Sequence, residues 1–219
     1  MLQTQNLEKS IAAGPSRLWL LRQINFNVEA GQFVAITGPS GAGKSTLLSI
    51  LGLMDHEYQG EYLLDGQRVS ALNAKARQGL QRDAIGFIFQ HYHLIDDLTV
   101  AENLDLPLSY RSVPSGERKA RVADALDRFQ IVGKKDLYPR QLSGGQQQLV
   151  AVARATITRP KVLLADEPTG ALHSSQGEEI MNVIGELHRA GSTIVMVTHN
   201  EANAARAQRR VTMRDGWIE

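Results

Sequence analysis

Cysteine is absent from this 219-residue chain, which excludes disulfide stapling and cysteine-based metal sites and fits a reducing compartment. An excess of one charge is missing too. The formal net charge is +1 and no block of five or more like charges occurs, so the electrostatic footprint of direct nucleic-acid binding is lacking. No apolar stretch approaches the ~18 residues of a membrane-crossing helix; residues 47–54 form one of the longer runs, and Ser49 and Gly52 interrupt it. The opening residues lack the basic-then-apolar pattern of a secretion signal. There is no internal repeat and no low-complexity tract. These absences predict a cytoplasmic protein that does not insert into a membrane by itself.

What is present is ordinary globular composition, 42% hydrophobic and 21% charged, at a length that suits one large domain. Compact apolar runs at 33–37, 85–89, 162–165 and 193–198 read as strands buried on both faces, and they alternate with helical stretches. That alternation predicts an α/β fold with a parallel sheet. Residues 19–28 and 60–64 read as strands of an antiparallel β subdomain. From 99 to 158 the periodicity is helical without a convincing strand, broken at Pro107, Pro114, Gly133 and Pro139. The expected organisation is one domain over 1–219, with a core of about 1–95 and 159–219 and an inserted helical subdomain of about 96–158.

Directly after the run 33–37 stands Gly38-Pro-Ser40-Gly41-Ala42-Gly43-Lys44-Ser45-Thr46, a complete G-x-x-x-x-G-K-[ST] motif between a strand and an apolar helix. Its glycines let successive backbone N–H groups turn inward onto phosphate oxygens. Lys44 can then reach the β and γ phosphates, and Ser45 can offer its hydroxyl to Mg²⁺. The start of the following helix adds its positive dipole end. The motif predicts a P-loop NTPase core that takes a nucleoside triphosphate.

The run 162–165 ends in Asp166-Glu167-Pro168. Adjacent residues at a strand end point in different directions, so the two carboxylates can divide the work. Asp166 suits Mg²⁺ coordination, and Glu167 suits polarising an attacking water. Between P-loop and acid pair lies Leu142-Ser143-Gly144-Gly145-Gln146, where a hydroxyl and backbone amides at a helix start form a second anion-binding surface. With this segment the chain resembles the ATP-binding cassette (ABC) family over essentially its whole length, and it is similar in fold class to an ABC-type P-loop ATPase.

The resemblance implies that two copies close as a homodimer around two ATP molecules, Ser143, Gly144, Gly145 and Gln146 of one copy meeting the γ-phosphate held by the other. It implies that Gln90 is the Q-loop glutamine, contacting Mg²⁺ and the attacking water, and that His199 is the switch histidine. Stretches such as Gly86-Phe-Ile-Phe-Gln90 and Glu167-Pro-Thr-Gly-Ala171 resemble the MacB, LolD and FtsE group, above all MacB's cassette. The implied partner is a transmembrane permease subunit of the MacB, LolC or FtsX type, which would hold the cassette at the inner face of the membrane. An FtsE-like regulator that moves no substrate is the alternative. His91 and His93 have no carboxylate or third histidine placed to complete a metal site. Three positions depart from the family pattern: Ile11 stands where an aromatic ring stacks on adenine, His173 where an aspartate follows in the D-loop, and Leu149 where the signature helix carries an arginine.

Overall fold

A computed structural model describes residues 1–14 and 16–219. In chain order the elements are β1 (Leu2–Ala13), β2 (Ser16–Val28), β3 (Phe33–Thr37), α1 (Lys44–Leu51), β4 (Gln59–Leu64), β5 (Gln67–Arg68), α2 (Ala74–Ala84), β6 (Ile85–Ile88), α3 (Val100–Ser109), α4 (Ser115–Arg128), α5 (Gly144–Thr156), β7 (Val162–Asp166), α6 (Ser174–Arg189), β8 (Thr193–Val197), α7 (Glu201–Ala204), β9 (Arg209–Arg214) and β10 (Trp217–Ile218). They gather into two compact units, one of residues 1–81 and 185–219 and one of residues 82–184. Among the described residues no helix is long and apolar enough to cross a membrane.

In the first unit β3 is buried at all five positions and lies parallel to β8 on one side and β9 on the other, with Ile36 opposite Val197 and Val211. An apolar run without alternation suits such a strand, because both of its faces are covered. β2, β1, β4 and β5 form an antiparallel sheet in that order. The β1–β2 ladder slips between Thr4 and Leu7 and again before Lys9, and Asn6 and Gln23 take positive φ there, as bulges require. Lys9 is buried on β1 and meets Asp55 at 3.1 Å and Glu57 at 3.6 Å, so its charge is paired where solvent is scarce.

In the second unit β6 runs parallel to β7, Ile88 opposite Ala165, and α3, α4 and α5 provide the helical part that the periodicity predicts. Thr99 and Glu102 cap α3 reciprocally, each satisfying a backbone N–H that the first turn would leave open. The expected break at Pro107 is displaced: α3 runs on to Ser109, because a proline this near a C-terminus removes one bond and the helix closes with Tyr110 N–H on Leu106 O. Asn103, fully buried in α3, donates to the carbonyls of Ile95, Leu98 and Thr99 and accepts from the Ile95 N–H. One side chain thereby fixes the course of residues 95–99.

Candidate functional site

The glycine loop of the first unit leaves the end of β3 and enters α1 at Lys44. Gly38 has φ 141°, and a Cβ there would lie 2.0 Å from Met213 O; Gly43 has φ 95°, and a Cβ would lie 2.4 Å from Leu20 O. Both positions therefore demand glycine for space as well as conformation. Ala42 is buried, and its carbonyl accepts the Gly216 N–H at 3.2 Å, so the β9–β10 turn braces the loop from behind. Gly43 is the N-cap of α1 and supplies no side-chain cap, which leaves the helix start to receive an anion. Lys44 Nζ donates to the carbonyls of Gly38 and Pro39, both at 2.8 Å. The ammonium is thus held on the carbonyls that open the loop. Ser40, Gly41 and Ser45 are exposed along the loop, and Thr46 is half-buried as α1 begins.

His199 belongs to the same unit and is exposed just beyond β8. Since β3 and β8 are parallel neighbours, with the Thr198 N–H donating to Ile36 O at 3.1 Å, His199 and Gly38 depart from the same sheet edge. That carboxyl edge is where open α/β sheets bind ligands. Arg210 fastens this edge from below: it forks onto the Glu201 carboxylate, with Oε1 at 2.6 Å, and donates to Thr37 Oγ1 at 3.0 Å. The hydrogen bond from Arg210 holds the Glu201 carboxyl below its ordinary pKa, and the same pairing raises that of Arg210.

In the second unit the parallel pair β6 and β7 sends Gln90 and the acid pair out from one edge. Asp166 closes β7, and Glu167 follows with φ 46°. This left-handed residue turns the chain, and Gly170 N–H returns to Glu167 O at 2.9 Å. Gln90 crosses Gly170 so closely that a Cβ there would meet its Nε2 at 2.8 Å. Ser143 caps α5, accepting the Gln146 N–H, while the Gln146 side chain accepts the Ser143 N–H at 3.0 Å. Gln146 is thus turned back onto the cap, Ser143 is exposed, and Gly145 is buried against Gln176. Leu149 is buried on α5 and packs as core. His173 is exposed, and its carbonyl accepts the Gly177 N–H at 2.9 Å, which makes it the N-cap of α6.

Compared with known proteins, residues 21–170 match the ABC transporter family profile, a span that contains the glycine loop, Gln90, the Ser143 cap and the acid pair. The chain belongs to the ABC transporter ATP-binding family. Over 218 residues it is 44% identical to the macrolide export ATP-binding/permease protein MacB of Sodalis glossinidius, covering all of this chain and 33% of that protein. It is 43% identical to an uncharacterized ABC transporter ATP-binding protein, YvrO, of Bacillus subtilis, covering 95% of it. The chain spans about a third of the length of the MacB-type relatives. The fold is similar to that of the ATP-binding cassette MJ0796, solved as a dimer in a post-hydrolysis state with ADP and Pi. The TM-score is 0.92 at 38% identity, covering all of this chain and 97% of that one.

Sequence reasoning about the cassette missed three residues that shape its second unit. Gln148, fully buried, donates to Phe89 O at 3.3 Å. Arg154 donates to Tyr92 O at 2.9 Å and His93 O at 2.5 Å, and burial lowers its pKa from the ordinary arginine value. Tyr92 itself sits so near α5 that a Cβ on Gly144 would meet its hydroxyl at 2.7 Å. No local pattern marks these contacts, because each joins segments more than fifty residues apart in the chain.

Proposed function

We propose that this chain is the ATP-hydrolysing engine of a MacB-type export transporter. It acts as one cassette over residues 1–219, with two copies closing about a two-fold axis around two ATP molecules. The observation that carries this reading is the pair of anion-ready helix starts. One is at Gly43–Lys44, behind loop glycines whose Cβ positions are occupied by backbone; the other is at Ser143–Gly144, capped within its own helix and exposed at the serine. Each has half of what a triphosphate needs, and a two-fold pairing of copies supplies both halves to each nucleotide.

In that assembly backbone N–H groups of the glycine loop and of the start of α1 cradle the β and γ phosphates, and Lys44 neutralises them. Ser143, Gly144, Gly145 and Gln146 of the opposite copy close on the γ-phosphate. Ser45, Asp166 and Gln90 are the residues that would hold Mg²⁺; hydroxyl, carboxylate and amide oxygens form the hard donor set this cation takes. Bound there, Mg²⁺ would neutralise phosphate charge. Glu167 draws a proton from the attacking water as its oxygen bonds to the γ-phosphorus and the bond to ADP breaks, and His199 steadies the γ-phosphate. The motion is passed to a transmembrane permease of the MacB or LolC kind, so the cassette works at the inner membrane face without inserting.

Glu167→Gln is the test. It keeps the side-chain shape at a strained backbone position while removing the proton acceptor, and is expected to lower ATP turnover at least a hundredfold while ATP-bound dimers accumulate in size-exclusion chromatography. Unchanged turnover would refute the proposed chemistry.

A further inference from the structure

The segment that carries Gln90 is fastened to α5 at both ends. On its near side the Phe89 carbonyl accepts from buried Gln148. On its far side Tyr92 and His93 have φ 57° and 49°, two consecutive left-handed residues without glycine. Each such residue is strained and persists only where its surroundings over-determine it. Those surroundings are visible. The His93 N–H returns to His91 O at 2.5 Å, the His93 ring packs on Phe89 with centroids 4.4 Å apart, and both carbonyls of the strained pair accept from the guanidinium of Arg154. A planar fork suits two carbonyls displayed side by side, and an ammonium does not.

The same tyrosine that Arg154 holds by its carbonyl reaches with its hydroxyl to the first residue of α5, Gly144. α5 is therefore gripped along roughly 15 Å, about 1.5 Å for each step from Gly144 to Arg154, and a helix of that length behaves as a rod. We infer that Arg154 is a positioning residue for Gln90 and that, through Tyr92, it makes the Gln90 loop and the Ser143–Gly144 tip move as one body. A push on the loop is delivered at the γ-phosphate end of α5, and the tip's engagement is delivered back to the loop. This inference rests on the ATPase reading for the role of Gln90, whereas the mechanical tie does not depend on it.

The test compares Arg154→Met, which keeps a stem and removes the fork, with Arg154→Lys, which keeps the charge but has a single donating nitrogen. Hydrogen–deuterium exchange is followed at residues 90–94, 144–148, 116–127 and 38–46, alongside steady-state ATP turnover. Arg154→Met is expected to speed exchange about tenfold at 90–94 and 144–148 together, leaving 116–127 and 38–46 within twofold. It is expected to lower kcat about tenfold with KM for ATP within twofold, and Arg154→Lys is expected to recover part of both losses. Unchanged exchange at 144–148 overturns the inference, as does an equal rise at 116–127, which would mean general loosening. Unchanged kcat in Arg154→Met, with the wild type active, removes the positioning role. A wild-type chain that binds ATP without hydrolysing it refutes the proposed function, and the exchange measurement then still decides whether loop and tip are tied.

Discussion

Replacing Asn103 by aspartate changes two N–H donors into a carboxylate oxygen without changing the side chain's shape. In the wild type the amide donates to three carbonyls at 3.0–3.1 Å and accepts one N–H at 2.9 Å, with no solvent exposure. An NH₂ has two protons, so the arrangement amounts to about three hydrogen bonds, each contributing about 1 kcal/mol. Asn103→Leu should therefore cost roughly 3 kcal/mol at any pH. Asn103→Asp should cost about 3–5 kcal/mol at pH 8, because a buried charge then faces carbonyl oxygens. That environment raises the introduced carboxyl above its unfolded pKa of about 3.9. Between those two values the folded state binds more protons than the unfolded one, so the variant gains stability as pH falls, and protonation restores one donor. Urea unfolding followed by circular dichroism at pH 8 and pH 5 should show the aspartate deficit shrinking while the leucine deficit holds. A deficit below about 1 kcal/mol at pH 8, or one that does not shrink at pH 5, would refute the account of Asn103 as the organiser of residues 95–99.

Other substitutions probe the first unit and the departures from the family pattern. Gly38→Ala places a Cβ against Met213 O and should weaken ATP binding at least a hundredfold in calorimetric titration; an unchanged Kd would mean that the loop has slack. Ile11 is exposed opposite Leu18 on the β1–β2 hairpin, two residues from the Leu20 carbonyl that abuts Gly43. Ile11→Tyr should therefore tighten ATP binding by about 1–3 kcal/mol through base stacking, measured by titration, and no gain would place the base elsewhere. His173→Asp puts a favoured N-cap on α6 and should raise stability by about 1 kcal/mol, with a changed hydrolysis rate in the assembled transporter; a lower melting temperature would contradict the capping geometry. Glu201 has a depressed folded pKa, so its contribution is full above the unfolded carboxylate pKa and is lost as pH falls through the folded value. The melting-temperature gap between wild type and Glu201→Gln should accordingly be present at pH 7 and close near pH 3, and a pH-independent gap would exclude the Arg210 pairing as its source.

The strands at 33–37, 162–165 and 193–198 were legible because a strand covered on both faces reads as a nearly continuous apolar run, with threonines only at the ends of the first and third, and the glycine loop was legible because its spacing has a mechanical meaning. β1 was not, since its bulges at residues 4–9 break the two-residue alternation. β9 was hidden because half of its six residues are arginines, two of them the consecutive pair Arg209 and Arg210 that opens the strand. The site separates in the same way. Lys44, Ser143 and Glu167 stand in local motifs, whereas the positive φ of Glu167, the carbonyls held by Arg154 and the approach of Tyr92 to Gly144 arise only when distant segments meet. Leu149 and His173 looked like vacancies in a pattern, but one is core and the other a helix cap.

The backbone around the glycine loop arrests it from three directions: Met213 at its entry, Gly216 beneath Ala42, and Leu20 at the start of α1. Folding has already fixed the course of this loop, so little ordering is left for a nucleotide to induce. Association should then proceed in a single kinetic phase that scales with nucleotide concentration.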